Sequence, residues 1–108
     1  MNAGRKSENY EELLIEAARV PVEVLRMSLA QVSSLKTLLK LGNLNLVSDI
    51  GIAALLLISS IRSSLLNIKI NTKRIEGVPE DILLAEPMAK KALKELESLC
   101  LKVEDEIF

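Results

Sequence analysis

Apolar residues recur along this chain at three-, four- and seven-residue steps, the period of a helix with one buried face, and strand-like alternation is weak throughout. Leu14, Ala18, Leu25, Val32 and Leu39 keep that step through a first helical segment expected from about Glu8 to Lys40. Pro21 falls inside it, and because the apolar period resumes beyond the proline, a kink is expected there and not an end. A Gly42-Asn43 break follows, then a second segment from Asn45 or Leu46 to Lys73, with Ser48 or Asn45 able to cap it and Asp49 near its positive end. The third segment starts near Pro79, where proline suits the first helical position and Glu80 and Asp81 follow. Pro87 is expected to kink it or to split off a short leading turn. Beyond Pro87, Met88, Ala92, Leu96, Leu99 and Val103 hold one face, and Lys90, Lys91, Lys94, Glu95 and Glu97 form a solvated face of mixed charge.

The expected fold is therefore all-α: a long-helix up-and-down bundle of about three long helices per chain, one domain over residues 1–108 with a flexible N-terminus over 1–7. Helices of this length run to roughly 40 Å. Three of them cannot bury apolar faces this wide, so completion by dimerisation is expected, as a homodimer or higher homo-oligomer, two-fold pairing being the commonest closed arrangement.

Composition narrows the function classes. With 108 residues, 49% hydrophobic and 27% charged, the chain is one small globular domain. A net charge of -1 supplies no basic field for a phosphate backbone, and Tyr10 and Phe108 are the only aromatic residues, so no nucleic-acid partner is expected. The longest apolar run, Ile50 to Ile58, ends at Ser59-Ser60, well short of the roughly 20 residues that cross a bilayer; a buried core helix and no membrane partner are expected. The N-terminus opens on polar and charged residues, which leaves the cytoplasm as the expected location. The absence of histidine removes Ser-His and Cys-His nucleophilic pairs and the commonest zinc ligand. Cys100, the single cysteine, has no activating neighbour and reads as a packed thiol.

The middle helix carries two polar faces. With Asp49 at zero on a wheel of about 100° per residue, Ser60, Ser63, Ser64, Asn67 and Asn71 fall within roughly 60° of it. Arg62, Lys69 and Lys73 gather on nearly the opposite side, and Ile50, Ala54, Ile61, Leu65 and Ile68 lie between the two on one flank. The cations are expected to face water and the small polar side chains a shared seam between protomers. A buried amide left unpaired costs on the order of 1 to 3 kcal/mol, so Asn67 and Asn71, one turn apart, need partners. Either they cross-link neighbouring helices or they line a ligand cavity at a subunit junction; periodicity alone favours the first. In G-N-L-N-L-V-S-D, residues Gly42 to Asp49, Gly42 reads as a left-handed cap, Asn43 as a turn residue and Ser48-Asp49 as a capping pair.

The run G-N-L-N-L-V-S-D-I-G-I-A-A, followed by N-I-K-I-N-T-K-R-I and preceded by E-E-L-L-I-E-A-A-R-V-P-V-E-V, resembles the cyclodeaminase domain of formiminotransferase-cyclodeaminase and its stand-alone relative, methenyltetrahydrofolate cyclohydrolase. The likeness runs from about Tyr10 onward and matches the family pattern at Ala18, Pro21, Gly42, Asn43, Asn45, Ser48, Asp49, Ala53, Asn67 and Asn71. It implies an all-helical dimer acting on tetrahydrofolate derivatives as substrate, with no tightly bound cofactor and no metal. The reaction implied is either closure of formimino-tetrahydrofolate with loss of ammonia or hydration of the methenyl form. It further implies a catalytic role for Asp49 and ligand-binding roles for Asn43, Ser48, Asn67 and Asn71. Family members are nearly twice as long and carry in their first half a glycine-rich helix opening with no counterpart here, so the likeness is to the second half only. A separate chain supplying that half, a second copy substituting for it, and loss of the catalytic part are the three possibilities. The functional alternative is a non-catalytic helical dimerisation or scaffold protein that retains the bundle but not the activity.

Overall fold

The computed structural model describes residues 3–108, with side chains from Tyr10 onward. Its elements are α1 (Ala3–Leu39), α2 (Leu44–Thr72), a single turn α3 (Glu80–Leu83) and α4 (Ala85–Ile107). Of the expected flexible leader, residues 1 and 2 lie outside the described residues, and the backbone of residues 3–7 belongs to α1. α1 runs through Pro21 without ending. Pro79 precedes α3 as its cap residue, and Pro87 sits in the first turn of α4, where an N–H would have no partner within that helix to lose. The leading turn expected ahead of the third helix is thus α3, split off at Leu84.

The helices run up, down and up in a bundle 63 × 19 × 19 Å. Tyr10 reaches Arg74 and Ser28 reaches Ser60, so α1 and α2 are antiparallel; Arg62 pairs with Glu97 and Lys69 with Glu86, so α2 and α4 are too. Lys36–Glu95 and Arg19–Asp81 run in parallel register between α1 and the α3–α4 segment. The core between them is aliphatic: Leu25, Ile50, Ile61, Ile82, Leu96 and Val47 are its largest fully buried side chains. The flank of α2 expected to pack inward does so at Ile50, Ala54, Ile61 and Ile68.

Two expectations about α2 change. Arg62 and Lys69 do not simply face water; each is exposed but paired to a carboxylate of α4, at 3.1 and 3.0 Å. The helix as a whole is also long and apolar enough, by length and composition, to cross a membrane, although its uninterrupted run Ile50 to Ile58 is short; only 22% of its most apolar window is buried. The reason is that apolar side chains resume beyond Ser59-Ser60 on a face the bundle leaves open.

Candidate functional site

The turn between α1 and α2 is built from two residues with separate tasks. Gly42 adopts φ +72°, the left-handed conformation in which a β-carbon is strained, and its N–H closes the end of α1 onto the Leu39 carbonyl at 3.3 Å. Asn43 follows with extended backbone and caps α2: its Oδ1 accepts from the N–H groups of Asn45 at 2.9 Å and Leu46 at 3.3 Å. The cap is therefore Asn43 and neither Ser48 nor Asn45. No acidic residue stands in the first turn, so Asp49 lies one turn beyond the strongest part of the dipole.

The polar stripe of α2 divides between two environments. Ser64 is buried, and Ser60, half-buried, shares a 2.9 Å hydrogen bond with Ser28 of α1, so these two serve packing. Ser48, Asp49, Ser63 and Asn67 are exposed and Asn71 is half-buried. The amides of Asn67 and Asn71 therefore have no call on a partner within the bundle beyond what solvent supplies. Asp49 and Asn71 are separated by about 33 Å along the helix at 1.5 Å per residue. One chain does not bring them to one site; Ser48 with Asp49, and Asn67 with Asn71, are the two pairs that lie close.

A sizeable groove lies elsewhere. A groove of about 630 Å³ runs between the C-terminal turns of α1 and α4, lined by Lys36, Lys40, Lys94 and Lys102 together with Glu95 and Glu106, and by no residue of α2. Lys36 is tied to Glu95 at 2.9 Å, which leaves the other three lysines to define its positive character. The i, i+4 spacing of Lys36 and Lys40 was the signal in the chain; the charge mixture on the third helix concealed the groove, because pattern alone does not tell which charges two helices bring together. Asn43, Ser48, Asp49, Asn67 and Asn71 all lie outside this groove and outside the smaller pockets at Leu65, Ile58, Ile15 and Leu25, and no cluster of metal-ligating side chains occurs among the described residues.

The ionisable groups with displaced behaviour also lie off the stripe. Lys69 and Lys90 both reach the Glu86 carboxylate, at 3.0 and 3.2 Å, and hold its carboxyl below the ordinary range. Burial pushes the Cys100 thiol up, with Glu104 and Glu97 adding to it, which fits a packed thiol and not a nucleophile.

A family model described as formiminotransferase-cyclodeaminase matches residues 2–94, a window that holds Asn43, Ser48, Asp49, Asn67 and Asn71. Methenyltetrahydrofolate cyclohydrolase of Methylorubrum extorquens is 30% identical over 94 residues, covering 87% of this chain and 41% of that protein. The chain thus spans less than half the length of the curated relative it matches. No solved structure matches it.

Proposed function

Because this chain belongs to the formiminotransferase-cyclodeaminase family, we propose that it handles tetrahydrofolate bearing a one-carbon unit, as a cyclodeaminase-like or cyclohydrolase-like protein. The observation that carries the reading is the family match over residues 2–94, which takes in Asn43, Ser48, Asp49, Asn67 and Asn71. In the hydration direction, water adds to the cationic methenyl carbon and one water proton passes to a base. The ring C–N bond then opens as the remaining hydroxyl proton is lost from oxygen and the departing ring nitrogen gains a proton, leaving the formyl group on the other nitrogen. Asp49 is the only carboxylate of α2 and is the base in this reading; its negative charge also favours a cationic methenyl group nearby. Asn67 and Asn71 offer amide donors and acceptors to the pterin, and Ser48 a hydroxyl beside the base. Asn43 contributes through the cap that fixes the first turn. A homodimer or higher homo-oligomer in the cytoplasm, or a separate chain supplying further helices, completes the reading.

The experiment follows the near-ultraviolet band of methenyl-tetrahydrofolate with the purified protein and with Asp49→Asn. Accelerated decay that the variant loses supports the reading; no acceleration, alone or with a chain carrying the rest of the family domain, removes it.

One observation favours a second reading, a non-catalytic helical dimer: Asp49 and Asn67 are exposed and lie away from the groove between α1 and α4, while α2 turns a long apolar face outward. Under it, Asn67→Leu or Asn71→Leu changes melting or association without changing folate affinity. Thermal stabilisation by folate that disappears in Asp49→Asn counts against it.

A further inference from the structure

On α2 the face opposite the core carries a repeat that none of the described residues covers. Asp49, Ile52, Leu56 and Ser59 follow one another at steps of three, four and three residues. After a step of four, Ser63, Leu66, Ile70 and Lys73 continue at three, four and three. This is the spacing of a two-stranded helical seam. Its apolar members are widely exposed: Ile52 by 56%, Leu56 by 67%, Leu66 by 71% and Ile70 by 63%. Four aliphatic side chains in one line on a helix surface mark an interaction face.

The repeat is also a palindrome about Ile61. Two residues to either side stand serines, five to either side leucines, nine to either side isoleucines, and twelve to either side a charge, acidic at Asp49 and basic at Lys73. We infer that a second copy of this chain covers the face by laying its α2 antiparallel along the first, with the two-fold axis level with Ile61. An isologous contact requires a self-complementary surface, and this register supplies one. Ile52 meets Ile70 of the partner subunit, Leu56 meets the partner's Leu66, and Ser59 meets the partner's Ser63, whose small side chains let the backbones approach at the centre. Asp49 then stands beside the partner's Lys73 at both ends. A parallel pairing would set Asp49 against Asp49 and Lys73 against Lys73, so charge selects the antiparallel one.

The flanking cations do not oppose this. Arg62, near the axis, is drawn toward Glu97 and Lys69 toward Glu86, both on α4 and away from the seam. The same register brings Asp49 to within about 3 Å, along the axis, of the level of the partner's Asn71, whereas one chain holds the two about 33 Å apart. That last consequence rests on the folate reading above; the seam itself does not.

The test uses the full chain with Cys100→Ser. Light scattering gives a dimeric mass, and Leu56→Glu, which inserts two carboxylates into the seam, raises the dissociation constant on the order of 100-fold while circular dichroism stays helical. Ile52→Cys combined with Ile70→Cys forms a disulfide-linked dimer on oxidation, and neither single variant does. Asp49→Lys and Lys73→Asp each weaken the dimer about 3-fold and the two together restore it. A monomer, a dimer that links through either single cysteine variant, or a dimer indifferent to Leu56→Glu and to the charge exchange overturns the seam. A monomer that binds vesicles of neutral lipid would give the face to a membrane and overturn it equally. A monomer that still accelerates methenyl-tetrahydrofolate decay would end the seam and leave the folate reading standing.

Discussion

Gly51 of α2 lies so close to Val103 of α4 that a β-carbon at position 51 would stand 2.8 Å from the Val103 Cγ1. Val103 is buried and branched, so its methyl groups have little room to turn away. Two effects oppose one another in Gly51→Ala. Alanine gains about 1 kcal/mol of helix propensity, whereas forcing an extra carbon into a packed contact costs about 1 to 3 kcal/mol. The contact is tight enough for the second to win, and Gly51→Ala is expected to destabilise the fold by about 1 kcal/mol in urea unfolding. Adding Val103→Ala should show a favourable coupling in a double-mutant cycle; strictly additive losses would mean that the two helices separate at little cost.

Asn43 is a candidate ligand-binding residue whose side-chain oxygen already accepts two backbone hydrogens of α2. Asn43→Ala is expected to cost about 1 kcal/mol of stability, and Asn43→Ser, which retains a capping oxygen, much less. Comparing the pair separates the two roles. If Asn43 acts only as a cap, Asn43→Ser keeps any folate-dependent thermal shift; if its amide touches ligand, the serine variant is stable but loses that shift.

The helices were legible because their apolar period is long and their breaks are marked: Gly42-Asn43 for the first turn, Pro79 and Pro87 for the second. Ile50, Ala54, Ile61 and Ile68 could be assigned to the core from the wheel alone, and burial agrees. The pattern points to Ser48 or Asn45 as the cap because three residues within six positions, Asn43, Asn45 and Ser48, have capping chemistry, and only backbone conformation decides which stands at the boundary. The stripe looks like one feature in the sequence because a wheel projects along the axis and hides distance. Asp49 and Asn71 share a face yet stand six turns apart, while Ser60 reaches Ser28 of α1 and Ser64 is buried. The open apolar line on the opposite flank does not separate from the core in the sequence for a related reason: Ile50 to Ile58 is apolar nearly all round, and only the neighbouring helices show which half is used.

Glu86 joins α2 to α4 by accepting from Lys69 while also pairing with Lys90 one turn along its own helix. Its folded carboxyl lies below the ordinary range, so what these pairs contribute is fully present above the unfolded carboxyl value, about 4.3. The contribution is lost as pH falls through the lowered folded value. The side chain is exposed, so the effect should be small and should shrink in high salt. Glu86→Gln is expected to flatten this part of the acid limb in a plot of melting temperature against pH between about 5 and 3. An unchanged limb would show that the pairs do not persist in solution.

Cys100 lies beside the aliphatic core, with Glu97 one turn before it and Glu104 one turn after. Burial raises its thiol above the usual range and the two carboxylates add to that in the same direction. Since the thiolate is the reactive form, alkylation at pH 8 should run several-fold slower than for an unhindered cysteine and recover in denaturant. Removing the flanking charges with Glu97→Gln and Glu104→Gln should speed labelling only modestly, because desolvation is the larger cause. The fold holds the proton more tightly than the unfolded chain does, so the stability linked to Cys100 is intact below the unfolded thiol value, about 8.5, and declines as pH rises through the raised folded one. A thiol that labels in the native protein as fast as in denaturant would show that α4 opens around Cys100 on the labelling timescale, and would displace burial as the explanation.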